Sequence, residues 1–469
     1  MIASQLAAWA VGTLDVPDEV VHAATRHLLD GLGNAVAGAR AGAAHPAVSV
    51  ALGLGGPAES TVLGSRSRIS APAAGLANGT LVHALDFDDT HAGGLVHSTS
   101  VVLPAAFAVG EQVGATGRQI FEAAVVGYEV ACRVAAAAPN GFHSQGLHAT
   151  MVAGVFSSAA VAARLMGLSP EQATNALGIA GSQAGGLLAF LATGASTKQL
   201  HPGFASQSGI IAARLAQAGA TGPDSVFDGP HGVYDALAPA AMAAGRVDAS
   251  SILRDLGSAS AQDWQTTRIG IKPWPTCQLA HATMAAAQVA LAEAGAEVAD
   301  IVALHAQVHP DSAAVVCATD RDLTRPVSAY AAKFSLPWSV AAILVDGVVG
   351  VDTYGGTHLG RAEISDLAAR ITWDVTPYDV VAADAPGDVV LTLADGSKVT
   401  GHVDRSPGGG SNPLSDDGLF AKFSGNVGPL APDLAAAVRN LPEAADLTVV
   451  LTLAAQAAGH PVSLEESIA

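Results

Sequence analysis

From the N-terminus to about residue 265, apolar residues recur at three- and four-residue intervals, the spacing of helices buried along one face. "DVPDEVVHAATRHLLDGLGNAVAGA" opens at Asp15 with Pro17 and two acids in its first turn and then keeps that interval. "LSPEQATNALGIAG" predicts a second helix, with Ser169 as N-cap, Pro170 at the first position and Gln172 completing a capping box. "RQIFEAAVVGYEVACRVAAA" and "ATMVAGVFSSAAVAARLMGL" show the same pattern with small residues. After Arg268 the texture changes. "TRIGIKPWP", "ADIVALHAQVHP", "ITWDVTPYD" and "DVVLTLADGSKVTGHVD" predict strands, the last folded across Asp395-Gly396 as a tight hairpin. "TCQLAHATMAAAQVALAEAG" and "SAYAAKFSLPWSVAAILVDG" predict helices among them. The expected fold is mostly α, with a large helical domain over 1–267 and a smaller helix-sheet (α+β) domain over 268–406. "SPGGGSNP" at 406–413 reads as a linker, and 407–469 returns to helix. No repeat of fixed period is visible.

Composition narrows the function. A chain of 469 residues suggests two domains. Half of it is hydrophobic and only 4% aromatic, so alanine and glycine let helices approach closely while aromatic cages are not expected. The net charge of -19 disfavours nucleic acid and anionic membranes, which gain affinity from Lys and Arg. Cys132, Cys277 and Cys317 are odd in number and far apart, which fits reduced thiols in a cytoplasmic protein; no close pair points to zinc or an iron–sulfur cluster. The N-terminus lacks the basic region of a signal peptide. The uncharged run 173–197 is broken by Asn175, Ser182, Gln183, Thr193 and glycines, as expected of a buried helix and loop.

The candidate chemistry starts at "HALDFDDTHAGGLVHS" (83–98), where Asp86, Asp88, Asp89, His91 and His97 crowd together between apolar segments. If "DFDDTH" forms a helix end or turn, Asp86, Asp89 and Thr90 share one face. A calcium loop does not fit, because the alternating ligands, turn glycine and terminal glutamate are missing. A magnesium–diphosphate site of the terpene-cyclase kind would want more aromatics. His148 precedes a small-residue helix. Lys198 follows the uncharged run and is followed in turn by His201; the phosphate-loop spacing is absent around it. Lys272 is held by two stiffening prolines, Pro273 and Pro275, where the second domain begins. Two histidines, two lysines and an aspartate in glycine- or proline-bounded segments would make a cationic pocket in an anionic protein, suited to a small anionic carboxylate.

"LLDGLGNAVAG", "NGTLVHALDFDDTH", "GYEVACRV", "LHATMVAGVFSSAAVAARLMGL", "TGASTKQLHPGFASQSG", "GIKPWPTC" and "AAKFSLPWSVAAIL" follow one another in the order and spacing of the MmgE/PrpD family, which the chain resembles over nearly its whole length. That family includes 2-methylcitrate dehydratase, cis-aconitate decarboxylase and iminodisuccinate epimerase. The resemblance implies a helical domain built from both ends of the chain, an α/β lid, an active site in the cleft between them, a homodimer, and no metal or organic cofactor. It places site residues at Asp86, Thr90, His97, His148, Lys198 and Lys272. His97 and His148 would move protons, Lys198 and Lys272 would hold substrate carboxylates, Asp86 would orient a partner, and Thr90, His201 and Trp338 would contact substrate. The chain departs from the family in having His97-Ser98 in place of His-Pro, Trp338 where decarboxylases carry tyrosine, and no aspartate before Ala332-Lys333. "DDTH", ending in His91, looks more like the MmgE and epimerase side. The resulting expectation is a cytoplasmic hydro-lyase acting by 2-methylcitrate-like dehydration. The alternatives are an epimerase, a decarboxylase or a non-catalytic carboxylate binder.

Overall fold

The computed structural model describes residues 1–355, 358–410 and 412–459. Ser411 in the expected linker, and 460–469 at the end of the expected C-terminal segment, lie outside them. The chain divides into two compact units: Met1–Leu188, Thr197–Ile269 and the residues from Ser415 onward form the first, and Ala189–Ser196 with Gly270–Leu414 the second.

The first unit is helical. Its principal helices are α1 (Asp18–Arg40), α2 (Ala71–His83), α3 (Thr99–Val113), α4 (Gly117–Ala136), α5 (Ala149–Leu165), α6 (Pro170–Gly181), α7 (Thr197–Gln217) and, later in the chain, α10 (Asp416–Val427). The expected capping box is present at α6, with Ser169 and Gln172 reciprocally bonded, and a second one, Thr116 with Gln119, starts α4. Small residues decide the packing. A Cβ on Gly79 of α2 would lie 2.7 Å from the Gly203 backbone nitrogen of α7, and one on Gly209 would lie 2.5 Å from Ser158 Cβ of α5. Helix α7 is thus clasped between α2 and α5 at backbone distance, a contact that any larger side chain would prise open.

The second unit packs α8 (Gln278–Ala294) and α9 (Leu336–Asp346) with a four-stranded sheet. The strands are β1 (Ile301–Val308), β2 (Ile371–Val375), β3 (Gly387–Leu393) and β4 (Lys398–Val403), in the order β2-β1-β3-β4. β1 runs parallel to β2 and antiparallel to β3, and β3 pairs antiparallel with β4. The Asp395-Gly396 hairpin forms as expected, with Gly396 at φ +85. A Cβ on Gly387 or Gly401 would lie 2.1 or 2.0 Å from the Ala282 or Ala286 carbonyl oxygen of α8, so these two positions let the helix lie directly on the sheet.

Two expectations are corrected. "TRIGIKPWP" is a strand only at Ile269–Gly270, because Pro273 and Pro275 lack the backbone N–H groups that a longer ladder would need. "SAYAAKFSLPW" breaks into Ala329–Ala332 and α9, since Ser335 caps a new helix by accepting from the Trp338 backbone N–H. The start of the expected linker is also packed closely: Ser406 is buried, and a Cβ on Gly408 would lie 2.0 Å from the Ile271 carbonyl oxygen. No helix among the described residues is long and apolar enough to cross a membrane.

Candidate active site

Four helix ends of the first unit converge. His83 closes α2, His97 lies just before α3, His148 is the N-cap of α5, and Lys198 and His201 stand near the start of α7. All five side chains are buried. Three of those ends are helix N-termini, whose unpaired N–H groups favour negative charge.

The loop between α2 and α3 is a turn rather than a helix end. Asp86 takes the left-handed conformation (φ +52), and this reversal sends the three residues expected on one face in separate directions. Asp86 accepts a hydrogen bond from Lys198 Nζ at 2.9 Å. Asp89 accepts from the Thr99 backbone at 3.0 Å and from the Thr99 hydroxyl. Thr90 Oγ1 lies 3.2 Å from His97 Nδ1, which also reaches the Asp89 carbonyl at 2.9 Å. A carbonyl can only accept, so His97 carries its proton on Nδ1.

His148 Nδ1 meets His201 Nδ1 at 3.0 Å, so one of the two nitrogens is protonated and the other is not. Thr150 Oγ1 stands 3.1 Å from His148 Nε2 and accepts from the His97 backbone N–H at 3.1 Å. Burial holds His148 well below the ordinary histidine value, aided by His201 and Lys198, and lowers His201 to about 4. Both are therefore neutral imidazoles at pH 7. Six expected site residues (Asp86, Thr90, His97, His148, Lys198, His201) are thus brought together in the first unit. Lys272 and Trp338 belong to the second unit; both are buried, and Trp338 packs against Tyr354 with ring centroids 5.3 Å apart.

Four residues to which sequence reasoning gave no site role enter the cluster. His83 Nδ1 lies 2.9 and 2.8 Å from the two carboxylate oxygens of Asp88, its ring 4.6 Å from that of His97 and 5.9 Å from that of His148. Thr150 links His97 to His148. His143, lowered to about 4 by burial and then by Lys198, sets its ring edge-on to His148 at 5.9 Å. His83 and Asp88 stand inside the 83–98 motif, and their pairing five residues apart was the available signal. His91, by contrast, accepts from the Gly94 backbone and meets Gln265 at 3.0 Å, a structural role that keeps the loop closed.

Ligating atoms of His83, His97 and His148, and of His83, Asp86, Asp88 and His97, lie within 4.8 Å of one another, so either set could hold a metal ion. An ion there would compete with Lys198 for Asp86 and with His83 for Asp88.

Beneath the loop, Lys422 of α10 donates to the Phe87 carbonyl at 2.7 Å, pairs with Asp30 at 2.6 Å, and lies 3.9 Å over the Phe87 ring. Asn34 donates to the same carbonyl at 3.2 Å. Lys422→Met should cost about 3 kcal/mol in urea unfolding, because it strands the buried Asp30 carboxylate. An unchanged midpoint would mean that the brace is idle.

Buried imidazoles also set the acid limit of the fold. His27, His91, His143 and His201 are each pushed down to about 4, chiefly by burial, whereas unfolded histidine titrates near 6.5. Between these values the unfolded chain binds protons that the folded chain refuses, so stability present above pH ~6.5 is lost as the pH falls. Asp89, raised to about 7 by burial, acts in the opposite sense, its contribution fading as the pH rises through about 7. With His148 also lowered, five imidazoles outweigh two raised carboxyls, Asp30 and Asp89. Circular dichroism should therefore show acid unfolding between about pH 6.5 and 4, and an intact fold at the lower end would contradict the assignment.

A helical unit enclosing neutral imidazoles, an Asp–His pair and a Lys–Asp pair, joined to a small helix-sheet unit, defines a class of acid–base site on a two-unit α-rich chain. Residues 4–244 match the MmgE/PrpD N-terminal domain and residues 274–445 the MmgE/PrpD C-terminal domain. The chain belongs to the MmgE/PrpD family. It is 28% identical over 443 residues to a cis-aconitate decarboxylase of Aspergillus terreus, covering 90% of this chain and 88% of that protein. Against a cis-aconitate decarboxylase of Homo sapiens it is 28% identical over 455 residues, covering 93% and 90%. A cis-aconitate decarboxylase-like protein of Aspergillus oryzae is 28% identical over 426 residues, covering 87% and 86%.

Proposed function

We propose that this chain is a lyase acting on a small polycarboxylate, with decarboxylation of a cis-aconitate-like tricarboxylate as its leading reaction. The observation that carries this reading is the buried Lys198–Asp86 pair set in the same cluster as the His148–His201 pair. A cation held at 2.9 Å from its counter-ion is fixed in place, and imidazoles beside it can pass single protons. In decarboxylation the carbon–carboxylate bond breaks and carbon dioxide leaves. The electron pair spreads over the remaining unsaturated carboxylate, whose developing charge a fixed ammonium stabilises, and a proton then adds to carbon. Lys198 and Lys272 hold substrate carboxylates, Thr90, His201 and Trp338 contact substrate, Asp86 orients Lys198, and His97 and His148 handle the proton.

A second reading, 2-methylcitrate-like dehydration or epimerisation of an iminodisuccinate-like dicarboxylate, is favoured by two features. The cluster holds neutral imidazoles able to accept a proton, and position 338 carries an indole where decarboxylases of the family have a phenol. Here the carbon–hydrogen bond beside a carboxylate breaks first, and the proton goes to imidazole. The protein works as a homodimer in either case, which light scattering on the same preparation checks.

The test is proton NMR in deuterated water with cis-aconitate, 2-methylcitrate and iminodisuccinate, alongside carbon dioxide release. Carbon dioxide with deuterium on the product supports the first reading. A new alkene without carbon dioxide, or exchange without net change, supports the second. Inertness toward all three would leave the lyase reading without support.

A further inference from the structure

His83 is fully buried, both carboxylate oxygens of Asp88 hold its Nδ1 at 2.8–2.9 Å, and its Nε2 is buried with no hydrogen-bond partner among the described residues. A carboxylate accepts and does not donate, so the proton of the neutral ring sits on Nδ1 and Nε2 carries a lone pair. Buried polar atoms in native structures are nearly always satisfied, and an exception at the centre of a histidine cluster points to a group that arrives with a ligand. Asp88 has the relation to His83 that an orienting carboxylate has to a general base: it fixes the tautomer and balances the charge that forms when the ring takes a second proton. The rings of His97 and His148 flank His83 at 4.6 and 5.9 Å. By contrast, both nitrogens of His148 are engaged, with His201 and Thr150.

We propose that Asp88 and His83 form the site's proton-transferring dyad, with His83 Nε2 as the atom that exchanges a proton with the substrate carbon and the flanking His97 and His148 handling that proton beyond it. This rests on the reading of the cluster as a polycarboxylate site. In the abstracting direction the carbon–hydrogen bond breaks, its electron pair passes into the adjacent carboxylate, and the proton goes to Nε2, leaving an imidazolium paired with Asp88. In the decarboxylating direction that imidazolium returns its proton to the carbon after carbon dioxide has left. His83 is then a catalytic residue and Asp88 a positioning residue.

Two variants and one spectroscopic measurement test the dyad on the full chain. His83→Gln should lower kcat by about 10²–10⁴-fold with little change in KM. Asp88→Asn should lower kcat with KM little changed, because an amide can donate to Nδ1 and so release the tautomer that leaves the lone pair on Nε2. A purely structural pair would lower the unfolding temperature and leave kcat of the folded protein where it was, and that result overturns the proposal. Ring nitrogen-15 spectra of histidine-labelled protein, assigned by difference with His83→Gln, give a readout independent of turnover. At pH 7 His83 should show a protonated Nδ1 and an unprotonated Nε2, and the Nε2 resonance should shift when citrate is added. A protonated Nε2, or one indifferent to citrate, overturns the dyad even in a protein that turns over. Absence of turnover with a citrate-responsive Nε2 instead overturns the choice of reaction and keeps the dyad.

Discussion

Replacing Lys198 with methionine is expected to remove turnover almost entirely and to destabilise the fold at the same time. The side chain is 7% exposed and its Asp86 partner 0%, so the pair lies where water cannot replace a missing member. Breaking a buried ion pair from one side typically costs about 3–5 kcal/mol, because the remaining charge stays desolvated. The cost should be felt sharply at Asp86, which already occupies a left-handed backbone conformation that an aspartate adopts only at some expense. Activity should fall by about 10²–10³-fold or more, as when a preorganised group facing developing charge is removed. The double variant Lys198→Met/Asp86→Asn separates the two effects. It should recover much of the lost stability in urea unfolding and remain inactive. Recovery of both would show that Lys198 serves only the fold.

The second large effect is expected far from the reacting groups. Arg133 on α4 donates to Glu129 at 2.8 Å, to the Arg254 carbonyl at 2.6 Å and to the Asp263 carbonyl at 3.0 Å. Glu129 in turn accepts from the backbone and hydroxyl of Thr266 at 2.8 and 2.7 Å. One pair of charges on one turn of helix thus fastens the segment 252–266, whose own regular structure is confined to short 3-10 turns. Arg133→Leu removes the cation, strands a buried carboxylate and unpairs carbonyls together, at a cost of about 3–5 kcal/mol for the charge alone. Against a total stability of about 5–15 kcal/mol, that should bring the unfolding midpoint close to working temperature. The damage should also reach the site. The Thr266 carbonyl meets His27 Nε2 at 3.0 Å, and His27 Nδ1 lies 3.5 Å from Asp89. Glu129→Gln, which keeps the packing, should cost less; equal losses would mean that shape rather than charge holds the segment.

Much of this architecture could be read in advance because it is local. Ser169 and Gln172 cap a helix through contacts three residues apart, and Asp395-Gly396 turns a hairpin within its own neighbourhood. The site was legible where chemistry clashes with surroundings: carboxylates between apolar runs, and a lysine after a long uncharged stretch. What stayed hidden depends on distance and backbone sign. Nothing in the letters around Asp86 states that its φ is positive, and that reversal gives Asp86, Asp89 and Thr90 different partners in place of a shared face. His83 was passed over because it closes a helix whose other polar residues are structural, and its value comes from Asp88 curling back beneath it. Lys422, 335 residues beyond the Phe87 carbonyl it holds, had no local cue at all.

The Lys422 brace has a consequence for the order in which the protein becomes competent. A ribosome completes the site loop long before it reaches the ammonium that grips that loop from below. Until then Asp30 and the Phe87 carbonyl await their cation, and the aspartates of the loop have no fixed floor. A nascent chain halted before α10 would carry the cluster's acids and imidazoles in full and still lack the cation that pairs with Asp30 and holds the Phe87 carbonyl beneath them.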